Sequence, residues 1–461
     1  MELFIRENAP YILSRLMSKG GEYGEIFFED TYQGIFQLED NKIETPILGK
    51  DTGIGIRLIK DLKTRYGYTS DFSKENLLNI AKTLSQHDGE GKIKIGIKYA
   101  KSFVPIKKDP EDISFTIKKD ILYRANDIAR SYDSRIKQVK VLLKEQKRKI
   151  LIINTDGEIV EDTQIRINFY VETVASDGKQ LYRGYESTGG VVGYELFDED
   201  YIDLIDFVAT KSAERAILGL KAKPSPAGKF PVIISSQAGG TMIHEAVGHG
   251  LEADLVYQNL SVYKGRLGGK VASDLVTVID SGIEQGKNGF LNFDDEGVPA
   301  QKNVLIENGI LVGYMYDRLT ALKKGKKPTG NGRRENFRHI PMVRMTNTYI
   351  APGKDNPHDI LADTKKGIYV VKMGGGQVNT VNGDFVFEII EGYMIENGKI
   401  SYPIKGASLI GNGPKALMDI DAVGYDLGWA IGTCGKSGQG VPVGDAQPTI
   451  RIKELTLGGT T

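Results

Sequence analysis

His244-Glu245-Ala246-Val247-Gly248-His249 is the stretch on which the reading of this chain turns. It sets two imidazoles five residues apart, with a carboxylate beside the first. The only cysteine of the 461 residues, Cys434, stands far downstream in Gly432-Thr433-Cys434-Gly435. A catalytic zinc site of the two-nitrogen, one-sulfur kind needs three protein ligands, a fourth position for water, and a carboxylate to take that water's proton. His244, His249, Cys434 and Glu245 offer a candidate for each part.

The spacing constrains the backbone. Zinc peptidases commonly carry histidines at i and i+4, which a helix of 3.6 residues per turn stacks on one face. Five steps carry the second ring about 140° round from the first, too far for one ion on a straight helix. A π-type bulge would bring i and i+5 together. Gly248 and Gly250, flanking His249, would tolerate non-helical dihedrals. The spacing therefore predicts a distorted helix around Gly248. The plainer alternative is two ordinary polar histidines. Against it, the chain has only five (His87, His244, His249, His339 and His358), and two of them share a six-residue window with a glutamate.

Cys434 also has competing readings. A lone cysteine is most often a small buried hydrophobe. Gly432, Gly435, Gly438 and Gly440 instead predict a flexible loop, of a kind that lets backbone approach an ion. A cysteine peptidase would use Cys434 as nucleophile and His339 as base, although no signature of that chemistry surrounds Cys434. Ala430 to Ser437 (AIGTCGKS) fits a loosened phosphate-binding loop, but Ala430 replaces a required glycine and no helix pattern follows. A further alternative is a peptide-binding or regulatory module with a structural metal, its fourth position closed by Glu252 or Asp254.

Several ordered motifs carry a resemblance. His244 to Asp254 (HEAVGHGLEAD), Phe293 to Gly297, Gly330 to Asn347, Gly374 to Gln377, Gly383 to Phe385, Lys405 to Pro414 and Gly432 to Gln439 together resemble the TldD/PmbA family of zinc metallopeptidases, in its catalytic TldD-type branch. Ala253 departs from it, standing where glycine is expected in many relatives. The resemblance implies one Zn2+ per catalytic subunit, held by His244, His249 and Cys434, with Glu245 as general base. It implies short or unstructured peptide substrates, bound as an added strand in a shielded interior. It also implies a dimer, either of identical chains or with a PmbA-type paralogue, which lacks the histidine motif.

Lysine plus arginine equals aspartate plus glutamate at 60 each, so no basic excess points to nucleic acid. One cysteine excludes an internal disulfide. No run approaches the roughly 18 apolar residues of a membrane helix, and Met1 to Glu7 lacks the flank of a signal peptide. A cytoplasmic, soluble protein is expected. The fold class expected is α+β in two domains, divided near Pro226 in Lys221 to Lys229 (KAKPSPAGK). Residues 1–225 read as a mixed α/β domain shaping the cavity and dimer. Residues 226–461 read as a predominantly antiparallel β domain carrying the distorted metal-binding helix.

Within the first half, helices are expected across Pro10 to Lys19, Leu77 to Leu84, Ile113 to Tyr132 and Glu199 to Leu218. Short strands are expected at Ile26 to Phe28, Gly34 to Leu38 and Gly53 to Leu58. A hairpin block spans Gln138 to Tyr185, with turns at Asp156-Gly157 and Asp177-Gly178. The basic run Lys144 to Lys149 reads as a solvated turn between two strands. In the second half, Asn308-Gly309 and Asn397-Gly398 mark tight hairpins. Gly374 to Gly376 marks either a ligand cradle or a bend, and Arg333-Arg334-Glu335 reads as a solvated salt-bridge cluster rather than a clamp near the site.

Overall fold

The strand Tyr23–Glu39 organises the first half of the chain, because its two faces are written in alternation. Ile26, Phe28, Phe36 and Leu38 turn to helices, while Phe27 joins a separate apolar cluster with Ile150, Ile152 and Phe337. In the computed structural model, which describes residues 1–102, 104–198 and 202–459, this strand lies inside an eight-stranded sheet. Its neighbours are Ile47–Lys60 and Ile136–Asn154, both antiparallel to it. Among the described residues, only Lys94–Lys101, beside Asp156–Ser176, pairs in parallel in this sheet.

Two helix pairs cover one face of the sheet at its two ends. Glu2–Leu16 and Lys74–Ser85 pack on Ile26, Phe28, Ile56 and Leu151. Phe115–Ser131 and Ile202–Lys221 pack on Phe36, Val141, Leu143 and Phe169. Ile5, Ile12, Leu13 and Leu16 are fully buried, and each such side chain stabilises the fold by about 1.5–3 kcal/mol.

Several local expectations need correction. The first helix begins at Glu2, and Pro10 lies inside it, because Ile5 and Ala9 continue the apolar stripe of Ile12, Leu13 and Leu16 back by two turns. Ile26 to Phe28 and Gly34 to Leu38 belong to one continuous strand. Lys144 to Lys149 is no turn but the middle of the 19-residue strand Ile136–Asn154. Its charges are satisfied from elsewhere: Glu145 accepts from Lys118, and Arg148 donates to Asp295 at 2.7 Å. The chain does reverse near Asp156-Gly157 and Asp177-Gly178. The expected helix start at residues 199–201 lies outside the described residues.

Besides a two-stranded sheet, Gly332–Arg333 with Met342–Val343, the second half contains two large sheets. In one, Lys366–Val378, Gly228–Ile234, Ile450–Gly458, Ala407–Asn412 and Asp384–Glu396 pair in succession, and the last returns to the first, so the strands close on themselves. Most of these pairs are antiparallel; Gly228–Ile234 with Lys366–Val378 is parallel. The other is a six-stranded sheet that ends in the hairpin of Gln439–Gln447 and Gly428–Lys436. Asn308-Gly309 and Asn397-Gly398 form the expected tight turns, each residue at positive φ. Gly374 to Gly376 sits in a bulged part of Lys366–Val378. The fold is mixed α/β with extensive antiparallel sheet.

The halves meet over buried charge. Arg57 pairs with Glu296, Arg334 with Glu25, and Phe337 lies so close beneath Gly53 that an added Cβ would stand 2.1 Å from its ring. Arg333 and Arg334 are 2% and 1% exposed, so the expected solvated cluster is a buried one. Arg334 finds Glu25 in the other half of the chain, and Arg333 finds the Met345 and Pro442 carbonyls, partners that composition cannot show.

Candidate metal centre

After one helical turn at Thr241–Ile243 the backbone widens into a π turn over His244–Gly248, then tightens at His249–Leu251. The His249 N–H donates to the His244 carbonyl five residues back. That bond brings the two rings together, their centroids 5.2 Å apart and their planes at 88°. The distorted helix is therefore present, but Gly248 does not supply it through unusual dihedrals. Its φ and ψ are −56° and −53°, ordinary helical values. Glycine is needed there for space, since a Cβ would meet the Met345 sulfur at 2.0 Å; at Gly250 the Tyr263 ring would lie at 2.7 Å.

Cys434 reaches the same point on a strand, not a flexible loop. It lies in Gly428–Lys436, paired with Val441, and the only turn of that hairpin is Ser437-Gly438 at φ +51° and +76°. This also removes the phosphate-loop reading, because no helix follows. One donor atom each from His244, His249 and Cys434 lies within 4.8 Å of the others, and all three residues are buried. The thiol sulfur is 3.5 Å from His249 Nε2.

Carboxylates hold both rings from behind. His244 Nδ1 meets Asp445 Oδ1 at 2.7 Å, and His249 Nδ1 meets Glu252 Oε2 at 3.0 Å. Each imidazole thus keeps Nε2 as its free donor. Glu252 also faces Lys436 at 3.0 Å, and both oxygens of Asp254 accept from Lys436 at 2.8 Å. Neither acid is placed to close a fourth metal position, contrary to the structural-metal alternative. His339 engages Asn336 at 2.9 Å while Cys434 faces the other two histidines, so the cysteine-peptidase pairing does not form. Asp445 and Lys436 were not singled out from sequence. Lys436 had a faint signal, two residues from Cys434 on the same strand face, and Asp445 had none.

The electrostatics follow from this enclosure. Burial disfavours the charged form of His244, but Asp445 and then Cys434 outweigh it and raise its pKa well above the usual imidazole value. At His249 burial is likewise overcome, chiefly by Glu252, and the pKa rises to about 10. Burial opposes ionisation of Cys434, yet the two imidazoles bring its thiol down to about 5. Burial pushes the Glu245 carboxyl up against the pull of both histidines. Among the described residues nothing hydrogen-bonds the Glu245 carboxylate, so it remains free to act. Two imidazole nitrogens and a thiolate, each ring oriented by a carboxylate, fit the donor set that zinc takes.

Comparison with known proteins gives the family. Three family profiles match in order: PmbA/TldA metallopeptidase domain 1 over residues 24–86, the central domain over 108–220 and the C-terminal domain over 227–459. The chain belongs to the PmbA/TldA metallopeptidase family. A metalloprotease TldD homolog of Buchnera aphidicola subsp. Acyrthosiphon pisum is 40% identical, the match covering 97% of this chain and 95% of that one. A metalloprotease of Methanocaldococcus jannaschii is 38% identical over 94% and 96%. Among solved structures, a Thermotoga maritima protein named for a proposed modulation of DNA gyrase matches with a TM-score of 0.81 at 24% identity, covering 98% of this chain and 99% of that one. TldE of Thermococcus kodakarensis matches at 0.76 and 19%, again over 98% and 99%. At those identities the likeness concerns the fold of the family.

Proposed function

We propose that this member of the family is a zinc-dependent peptidase acting on short or unstructured peptides, with His244, His249 and Cys434 as the metal ligands and Glu245 as general base. The observation that carries this reading is the convergence of three buried donor atoms within 4.8 Å, beside a carboxylate that has no hydrogen-bond partner among the described residues. A zinc ion held by these three residues would supply Lewis acidity, to polarise the scissile carbonyl and make water a nucleophile near neutral pH.

The remaining work falls to the chain itself. Asp445 and Glu252 fix the imidazole tautomers and directions. Glu245 accepts the proton of the attacking water and returns it to the leaving amine. Its raised pKa suits that double role, since a base poised nearer neutrality gives the proton back more readily. Gly428–Lys436, which carries Cys434, is the edge strand of its sheet, so an extended peptide can add beside it through main-chain hydrogen bonds. That mode gives affinity with little side-chain selection.

The reading includes a dimer, of identical chains or with a PmbA-type paralogue, working in the cytoplasm without nucleic acid or membrane. Among the described residues no helix is long and apolar enough to cross a membrane. The deciding experiment is Glu245→Gln assayed for peptide cleavage and bound zinc together. Turnover falls by about 10²–10⁴ with metal retained if Glu245 is the base. Unchanged turnover moves the base elsewhere, and full zinc retention in Cys434→Ser removes the sulfur from the ligand set.

A further inference from the structure

A cleft of about 430 Å³ lies between the first sheet and the hairpin that carries Cys434. Gln33, Lys144 and Arg166 line it from the sheet, and Arg333, Thr433 and Pro442 from the opposite side. Thr433 pairs with Pro442, while Cys434, next along the strand, turns to the imidazoles. The cleft is thus a separate compartment beside the metal centre.

Its cations differ in how they are compensated. Arg148 reaches Asp295 and Glu29, and Arg334 reaches Glu25. Arg166 and Arg333 have only neutral partners. Arg166 donates to the Asn288 and Phe290 carbonyls and to Gln164 at 2.9–3.1 Å. Arg333 donates to the Met345 and Pro442 carbonyls at 2.6 and 2.7 Å, and its Nε is buried with no partner. They are 4% and 2% exposed, and among the described residues no carboxylate lies within ion-pair distance of either. Two acids line the cleft, but Glu145 is engaged by Lys118 and Glu335 accepts from the Gly440 N–H.

A buried guanidinium without a counter-charge is costly, and arginine does not relieve the cost by giving up its proton. Burial, and then the neighbouring cations Arg333 and Arg148, depress the Arg166 pKa to about 9, more than the farther carboxylates of Asp162 and Asp295 restore it. Guanidinium forks match carboxylate and phosphate oxygens through paired N–H donors. We propose that this cleft binds a ligand bearing a carboxylate or phosphate group, whose oxyanion is received by Arg166 and Arg333. The site does not depend on peptide turnover.

The test is calorimetric titration of zinc-loaded Glu245→Gln protein with inorganic phosphate, with acetyl-trialanine as free acid, and with the same peptide as amide. At least one acid binds with a Kd of about 1 mM or tighter. Binding of the free-acid peptide but not its amide identifies a peptide carboxylate; binding of phosphate alone identifies a free phosphate compound. In either case Arg166→Gln weakens binding at least about tenfold. Gln33→Glu, which adds a carboxylate at an exposed lip position without disturbing the core, does the same should Arg166→Gln fail to fold. The proposal is overturned if neither acid binds, or if the acid's affinity is unchanged in folded Arg166→Gln or in Gln33→Glu.

Discussion

Where the first sheet meets residues 293–297 and 330–347, Arg57, Arg148 and Arg334 are buried and each ends on a carboxylate. At the metal centre two imidazoles are equally buried, but their carboxylates lie behind them and their Nε2 atoms turn toward a thiol. The first region balances the charge of these three arginines within the protein. The second leaves three donors converging on one point. Buried charge that finds its complement joins two halves of a chain; buried charge whose donors face one another asks for a third party, and a divalent cation answers it.

The contrast breaks most visibly at the interface. Arg334→Met leaves Glu25 buried with only the more distant Arg57, 3.9 Å away, as a counter-charge. A loss of about 3–5 kcal/mol in unfolding free energy is expected. The double variant with Glu25→Gln recovers part of it, measurable by denaturant titration. A single variant costing under about 1 kcal/mol would mean that the pair is not closed as described. At the centre, Asp445→Asn keeps the shape behind His244 and removes the charge. Zinc affinity should drop by about 10–100-fold, and the metal-free protein should also lose stability at pH 7, because buried His244 gives up the carboxylate that holds its proton. Equal affinity would make Asp445 a packing contact.

What the sequence disclosed divides along the same line. The π turn was legible because it is local: a five-residue separation and the pitch of a helix leave few ways to bring two rings together. Asp445 was not, being 201 residues away from His244 with no pattern joining them. Lys144 to Lys149 looked solvated for the same reason, since its partners Lys118, Glu29 and Asp295 arrive from three other segments. At Cys434 the glycines suggested a loop, yet Ser437-Gly438 alone makes the turn and the others lie in paired strands. Outside the π turn, pairing with other segments, not propensity, decided these cases.

Gly248 sharpens this further, because the sequence selected the right residue for the wrong reason. Gly248→Ala needs no unusual dihedral, so its effect comes only from the clash with Met345. About 1–3 kcal/mol of stability should be lost, as for other overpacked cores. Adding Met345→Ala ought to return most of the steric part, although the methionine's own burial is then forfeited. If the second change brings no recovery, backbone conformation and not space is what glycine provides.

The finest comparison concerns protons. Without metal at pH 7, both imidazoles are charged, His249 with a pKa of about 10 and His244 raised well above its usual value, while the thiol, at about 5, is already ionised. Metal requires neutral imidazole, so zinc uptake at pH 7 should release about two protons, both from histidine and none from cysteine. Binding strengthens as pH rises toward 10, because the imidazoles then lose their protons beforehand. Between pH 5 and 7 the sulfur adds nothing to that slope; below about 5 it begins to. Titration in two buffers of different ionisation enthalpy counts the protons. Asp445→Asn, by lowering the His244 pKa, should bring the count toward one. A count near one in the parent protein would show that a carboxylate behind the ring does not hold the proton there, and the distinction between closed and open buried charge would lose its electrostatic basis.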